Sequence, residues 1–405
     1  MSIYPELAMD NNLTAHEKII VNARKVAETT LRERACLVDS NAHFPVEGVK
    51  ALYDHGLMAL MSPKAYGGQE VDLGTFVEVA SILAGECLST ALVWSMHSQQ
   101  VAVVAQHANP ELKEKILRSV AERGAFVASA TTEAKGGGHI LTCSAAAEER
   151  DEGLHIERFS PIVTGGEYAE WFIATIRTSK DIPMNEVSLV AIHKDDTHLV
   201  DEKNSWNVMG VRGTRSIAVQ LSCALDEGDF IGEKGKFKNV ALNPMIPLGH
   251  IAWSACWYGA IWRAYKVMMK HLREKGAHGG ADLKSDLIAE RIAQVRLEID
   301  SVKAFLMYSV AEYNKVLDVK DNTYDGFADT SFNILINNLK VMVSEHAFTA
   351  IDKMVQIAGI KTGYSTGAHI ERVFRDLRSA RLMYANDKLI VASGKLSFSE
   401  KTRAI

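Results

Sequence analysis

Hydrophobic positions in the first part of the chain recur at helical spacing. In VEGVKALYDHGLMAL, Val46, Val49, Leu52, Leu57 and Leu60 mark one helical face, and Gly56 suits the left-handed residue that closes a helix. A turn at Pro63 and the pair Gly67-Gly68 interrupt this pattern before helical spacing returns over Leu73–Cys87. From about Phe126 to Phe230 the period changes. VASATT, GLHIERFSPIV, WFIATIRT and VSLVAIHK are short, β-branched, partly alternating runs separated by Gly, Asp and Asn, which predicts an antiparallel β domain. From Asn243 onward the helical period returns in four long segments, at about 247–273, 284–315, 328–359 and 381–398, which predict an antiparallel bundle.

The expected fold class is therefore α+β and multidomain: a helical domain over 1–125, a β domain over 126–240 and a four-helix bundle over 241–405. The most apolar stretch, Ala241 to Met269, contains His250 and Arg263 and is broken by Pro244 and Pro247, so it predicts a buried helix and no membrane span.

Composition narrows the function classes. The formal charge is −5 over 405 residues, too mild and of the wrong sign for a nucleic-acid or anionic-membrane footprint. The five cysteines (36, 87, 143, 223 and 256) lack CxxC spacing, which predicts neither a zinc site nor a disulfide framework and fits a reducing, cytoplasmic setting. No metal site is expected, and MSIYPELAMDNN reads as no secretory signal. There is no GxGxxG after a strand, no GxxxxGK(S/T), no HExxH and no GxSxG, so dinucleotide, P-loop, zinc-protease and serine-hydrolase readings lose their motifs.

Four segments carry a positive signal: FPVEGVKALYDHGLMALMSPKAYGGQEVDL (44–73), TTEAKGGGHILT (131–142), WNVMGVRGTRSIAVQL (206–221) and QIAGIKTGYSTGAHIERVFRDLR (356–378). In this order, on an α–β–α pattern, they resemble the acyl-CoA dehydrogenase family over nearly the whole chain. The resemblance implies a helical N-terminal domain, a middle β domain and a C-terminal four-helix bundle. It also implies FAD between the β domain and the bundle, with help from a neighbouring subunit of a dimer or homotetramer.

Several residues then acquire expected roles. Thr131 and Thr132, followed by Glu133, end the first β run, where amides and a hydroxyl suit the polar edge of an isoalloxazine ring; the alternative is a strand-end Thr that caps its own backbone. Gly138 falls where the family has a substrate-contacting Ser. Thr164 matches a flavin-contacting Thr, and Ile162 stands where an aromatic residue usually covers the ring. Arg212, Thr214, Arg215 and Ser216 form a polar cluster, with Arg215 either a substrate contact or a surface-turn residue. Arg273 or Lys275 falls where an Arg reaches the FAD pyrophosphate, although GAHGG replaces the Phe-Gly that usually follows and Ser285-Asp286 replaces Phe-Gln. Gln356 and Gly359 match the family's Q..GG, with Ile360 in place of its second Gly. Arg372, Arg375 and Asp376 match its ER and RD positions, as substrate contacts or as an interhelical ion-pair network. Asn386 joins the expected cofactor contacts.

The residue the chemistry most needs is absent. Dehydrogenation α,β to a thioester requires a carboxylate to take the α-proton, a contribution of roughly 10²–10⁴-fold. The family's usual Glu falls on Tyr384 or Ala385, and its alternative position falls on Gly249 or Pro247. Asp387, His250 and Tyr384 remain as candidates, although His250 alone reads first as a satisfied core histidine. Three functions follow as expectations. The first is an FAD-dependent dehydrogenase of an acyl-CoA or carrier-bound acyl group, delivering electrons to an electron-transfer flavoprotein. The second is a monooxygenase on the same scaffold, using FMN or another reduced flavin supplied by a flavin reductase. The third is a non-catalytic flavin- or acyl-binding homologue.

Overall fold

A computed structural model describes residues 13–133, 140–151, 153–199, 206–277, 283–318 and 326–400. The first helix, α1 (Ala15–Val26), starts at a capping box: the Glu17 amide donates to the Thr14 hydroxyl and the Thr14 amide to the Glu17 carboxylate. A π turn leads into α2 (Arg32–Asn41), and α3 (Val46–Asp54) closes as its sequence predicts, with Gly56 at φ +70° and the Leu57 amide donating to the Leu52 carbonyl. Asp72 caps α4 (Leu73–Glu86), α5 (Leu88–His107) follows, and α6 (Pro110–Arg123) runs from an Asn109 cap to a left-handed Gly124.

The middle of the chain forms two four-stranded sheets. One has the order β1 (Val127–Ala130), β4 (Trp171–Ile176), β5 (Ser188–His193), β8 (Phe230–Ile231). The other has the order β2 (Glu148–Arg150), β3 (Gly153–Thr164), β7 (Ser216–Leu225), β6 (Thr197–Leu199). The pairing is antiparallel as the strand pattern predicts, with one parallel pair, β1 beside β4. Alternation of side chains marks a strand but not the direction of its neighbour, so this pair is invisible in the pattern.

A short α7 (Phe237–Val240) and a π turn lead into the bundle: α8 (Ile246–Ala277), α9 (Asp286–Asp318), α10 (Thr330–Gly359) and α12 (Asn386–Ser397). The expected last helix, 381–398, begins later than its pattern suggests. A separate α11 (His369–Arg378) and a tight turn at Ser379–Arg381 precede it. The Ser81 hydroxyl of α4 donates to the Ala255 carbonyl of α8 at 3.1 Å, and Trp94, Phe76 and Trp257 are fully buried. The N-terminal helices and the bundle thus share one hydrophobic core. Among the described residues no helix is long and apolar enough to cross a membrane.

Candidate active site

The site begins with an irregularity in β3. Its register with β7 runs through Ser160–Val219, slips, and resumes at Val163–Ile217. Pro161 has no amide to donate to the ladder, and a bulge there lets the strand bend. Ile162 is pushed outward and is 51% exposed. The neighbouring end of β1 is tied to this bulge: the Thr132 hydroxyl donates to the Ile162 carbonyl at 2.8 Å and receives the Ile162 amide at 3.4 Å. The Thr132 hydroxyl thus ties this strand end to a second strand and does not cap its own backbone.

Beneath this strand end lies a buried ion pair. Arg158 is fully buried; its Nε donates to the Ala130 carbonyl at 3.0 Å, Nη2 to the Thr132 carbonyl at 3.3 Å and Nη1 to Glu133 at 3.1 Å. Burial opposes ionisation of Glu133, but the amides of Ser144 and Ala145, the Cys143 thiol and Arg158 outweigh it and hold the carboxyl below its ordinary range. Residues 130–133 are pinned from below.

Above them opens a cavity of about 920 Å³ between the β domain and the helices. One wall is Thr131, Thr132, Glu133, Ile162, Thr164 and the loop 208–211. The facing wall is Leu92, Met96 and Gln99 of α5, Trp253 of α8, and Leu382–Ala385. Arg375, Arg378, Arg381 and Lys388 also line it. The loop carrying Gly210 is clamped by α11. A Cβ on Gly210 would lie 2.1 Å from the Arg375 carbonyl, and the Val211 amide donates to buried Asp376 at 2.6 Å. Burial raises the Asp376 pKa to about 6 against that hydrogen bond. Arg375 itself pairs with Asp39 at 2.6 Å and with Glu371, joining α2, α11 and the loop.

Residues 14–124 match the family described as "Acyl-CoA dehydrogenase, N-terminal domain", and residues 240–384 match "Acyl-CoA dehydrogenase, C-terminal domain". The chain belongs to the acyl-CoA dehydrogenase family. It is similar to the cyclohex-1-ene-1-carbonyl-CoA dehydrogenase of Syntrophus aciditrophicus, with 23% identity over 94% of this chain and 89% of that one. It is 26% identical to HsaA, the oxygenase subunit of a flavin-dependent monooxygenase of Rhodococcus jostii, over 88% of this chain and 92% of that one. The FMN-bound structure of TdsC from Paenibacillus sp. A11-2 superimposes with a TM-score of 0.82 at 16% identity, covering 95% and 98% of the two chains.

The structure gathers Thr131, Thr132, Ile162, Thr164 and Tyr384 around the cavity, and separates other residues expected there. Arg215 is off the wall and reaches Glu167 at 3.4 Å. Arg372 is buried among Cys36, the Glu86 carbonyl and His369, joining α2, α4 and α11, and it does not line the cavity of its own chain. Asn386 does not line the cavity of its own chain. Its amide group is taken up inside the bundle, donating to Ser344 at 2.9 Å and Glu345 at 2.8 Å and accepting from Lys340 at 2.6 Å. Arg273, Lys275 and Gln356 are exposed, and Gly359 closes α10; none of them lines the cavity of its own chain. His271 meets Thr362 at 3.2 Å, so Arg273 and Gly359 share one end of the bundle. Gly138 lies outside the described residues.

The candidates for the base fare differently from one another. Asp387 is exposed at the start of α12 and does not line the cavity, although its neighbour Lys388 does. His250 is fully buried behind Trp253 and Tyr384. Its Nδ1 donates to the Ile336 carbonyl at 3.2 Å, and burial lowers its pKa to about 3, so it is a core histidine and a weak base. Tyr384 does line the cavity, at φ +52°, and burial raises its phenol to about 12. It can donate a hydrogen bond but cannot take an α-proton at neutral pH.

Two wall residues escaped the sequence reading. Gln99 sits in a helix buried over Leu88–Ser95 and His97–Val104, apolar and polar positions alike, so no amphipathic stripe singled it out. Trp253 read as one more apolar residue of α8, yet its indole N–H has no acceptor.

Proposed function

We propose that this chain is a flavin-dependent monooxygenase on the acyl-CoA dehydrogenase scaffold. One observation carries the reading. Glu133 is the single carboxylate lining the cavity among the described residues, and its oxygens are occupied by Arg158 and the Ser144 and Ala145 amides. Among the described residues the cavity offers no free carboxylate to remove an α-proton, and oxygen insertion needs none. The likeness to HsaA supports the same reading.

The residues fit a flavin. Ile162 offers an exposed apolar surface to a ring face, and the Thr131–Glu133 strand end offers backbone at its polar edge. Thr164 stands beside them, its hydroxyl within 3.0 Å of Ser216, and the Trp206 indole N–H on the same wall lacks an acceptor. Bound reduced flavin would supply two electrons to O₂, one oxygen atom entering the substrate and the other leaving as water. The chain's own part is to orient and to exclude water: Leu92, Met96, Trp253 and Met383 make the facing wall apolar, and the Arg158–Glu133 pair fixes the strand end. A separate flavin reductase would be the partner that delivers reduced flavin. Exposed Ile360 and Tyr364, at the bundle end that holds Arg273 and Gly359, support a homo-oligomer in which that end completes a neighbour's cofactor site.

The second reading, dehydrogenation of an acyl thioester, has the Syntrophus aciditrophicus relative in its favour. One experiment separates the two. Purified protein is given reduced FMN or FAD with O₂ and, in parallel, oxidised flavin with a panel of acyl-CoA esters under anaerobic conditions. Substrate-dependent incorporation of ¹⁸O from ¹⁸O₂ is expected. Bleaching of the flavin by an acyl-CoA without O₂ would replace the monooxygenase by a dehydrogenase.

A further inference from the structure

Thr164, Ser216 and Thr214 set three hydroxyls in a row on the β wall of the cavity, where flavin is proposed to lie. Each residue is at most 7% exposed, so the hydroxyls must largely satisfy one another. The Thr164 and Ser216 oxygens are 3.0 Å apart and those of Ser216 and Thr214 3.1 Å, and the Thr214 hydroxyl donates to the Val211 carbonyl at 2.9 Å. A hydroxyl has one proton and a carbonyl has none. All three contacts can therefore be hydrogen bonds in one arrangement only: Thr214 donates to Val211, Ser216 to Thr214, and Thr164 to Ser216. The Thr164 hydroxyl has no further partner among the described residues, so its oxygen keeps lone pairs and has no proton left to offer.

The turn that starts the row is firmly set. Val211 and Arg215 flank Arg212–Thr214 at φ +48° and +41°, strained values for residues with a Cβ. The Gly165 amide donates to the Thr214 carbonyl at 3.1 Å, closing the turn onto the end of β3, and Asp376 holds the Val211 amide. A flavin in turn changes its hydrogen bonding with oxidation state. N5 of the oxidised ring accepts; two electrons and a proton turn it into an N–H that donates, while the carbonyl oxygens and the N3–H keep their roles. We infer that Thr214 and Ser216 are positioning residues that fix Thr164 as an acceptor for the N5–H, so that the site selects reduced over oxidised flavin. This selection depends on flavin lying at the β wall, as proposed, and not on which substrate is then oxidised.

Negative charge on the reduced ring is a separate source of preference, so the test removes N5 itself. FMN and 5-deaza-FMN, in which a carbon replaces N5, are titrated anaerobically into the purified protein in oxidised and in chemically reduced form, without substrate, and followed by calorimetry. Reduced FMN is expected to bind at least ten-fold tighter than oxidised FMN, which raises the two-electron potential of the bound flavin by at least about 30 mV. With 5-deaza-FMN that preference should shrink about ten-fold. Thr214→Val keeps the shape but frees Ser216 to donate to Thr164, and Thr164 to donate to the cavity. The preference should fall about ten-fold and the potential by about 30 mV. Thr214→Ser, which keeps the hydroxyl, should retain both. Equal binding of the two redox forms, tighter binding of oxidised FMN or a full preference with 5-deaza-FMN overturns the inference. So does a folded Thr214→Val protein with the full preference, or a Thr214→Ser protein that behaves like it. The two wild-type comparisons decide even where the variants do not fold. Binding of neither form overturns the flavin reading as well, whereas absent ¹⁸O incorporation with the preference intact removes only the monooxygenase.

Discussion

Gln99 and residue 249 compete for one volume of the cavity wall: a Cβ on Gly249 would lie 2.3 Å from the Gln99 Nε2. Position 249 is one of the two places the family resemblance gives for the alternative catalytic Glu. Here a carboxylate side chain at 249 and Gln99 cannot both be accommodated as the wall stands. Gln99 is held by the Met245 carbonyl and by Gln100, so it cannot simply swing away. Gly→Ala inside a helix ordinarily stabilises by about 1 kcal/mol. Gly249→Ala should instead destabilise, because overpacking of about 1–3 kcal/mol outweighs the propensity gain. In a Gln99→Ala background the sign should reverse. Urea unfolding of the four proteins in this cycle measures it, and a stabilising Gly249→Ala in the wild-type background would contradict the competition.

The Arg158–Glu133 pair supports the strand end from below, and breaking it from one side leaves a buried charge unmatched. Glu133→Gln or Arg158→Met should each cost about 3–5 kcal/mol. The double variant Glu133→Gln/Arg158→Met should recover much of that loss, since no uncompensated charge remains. Flavin affinity, measured by fluorescence titration at a temperature where all variants stay folded, should fall in the single variants because residues 130–133 lose their anchors. Unchanged affinity with lost stability would show that the pair serves the fold alone.

The α–β–α order and the helical bundle were legible in hydrophobic period, because buried faces repeat at 3.6 or 2 residues wherever one side meets a core. The strand end at Thr131–Thr132 and the exposed Ile162 were also legible, through motif position. The base was where reading stopped. Asp387 and His250 lie within a few residues of family positions, yet Asp387 is exposed off the cavity wall and complete burial seals His250 behind Tyr384. Arg372 and Arg375 had two readings open; Arg375 makes the ion-pair network with Asp39 and Glu371, while Arg372 hydrogen-bonds Cys36, the Glu86 carbonyl and His369. Gln99 had no sequence signal at all: a buried polar residue among buried neighbours looks the same whether it faces a cavity or another helix.

Three buried histidines make the fold sensitive to acid. Burial lowers His97 to about 4 and both His250 and His369 to about 3, and the Nδ1 of His97 accepts the Val127 amide at 3.0 Å, a bond that protonation removes. Their folded pKa values lie below the unfolded ones, so the unfolded chain takes up protons first. Stability should therefore be full above the ordinary value of 6.5 and fall as pH drops, each histidine contributing about 1.4 kcal/mol per unit. Asp376 acts in the opposite sense: its pKa is raised from 3.8 to about 6, so the native state binds its proton first and gains stability as pH falls through that window. Asp376→Asn should thus steepen the acid loss below about pH 6. Unfolding midpoints at pH 7.5, 6 and 5 test both signs, and a shallower loss in the variant would refute the assignment.

Lys340 supplies the opposite limb of the pH profile. Its amine is buried in the bundle, donates to Asn386 at 2.6 Å, and burial lowers its pKa from 10.5 to about 7. The native state sheds this proton before the unfolded chain does, so stability should rise with pH from about 7 toward 9. Lys340→Met should flatten that rise and match or exceed the wild-type stability at pH 7, since an apolar chain of similar length replaces a buried charge. The same change should disturb the site. Asn386 follows Tyr384 and Ala385, whose φ values of +52° and +30° are strained for residues with a Cβ, and such a turn persists only when its neighbours hold it. With the Lys340 anchor gone, Tyr384 should lose its fixed place against Trp253, now 4.9 Å between ring centroids. Weaker flavin binding, followed by fluorescence titration, in a protein that is no less stable would show that Lys340 orders the cavity wall. Undiminished binding would assign it to the bundle alone.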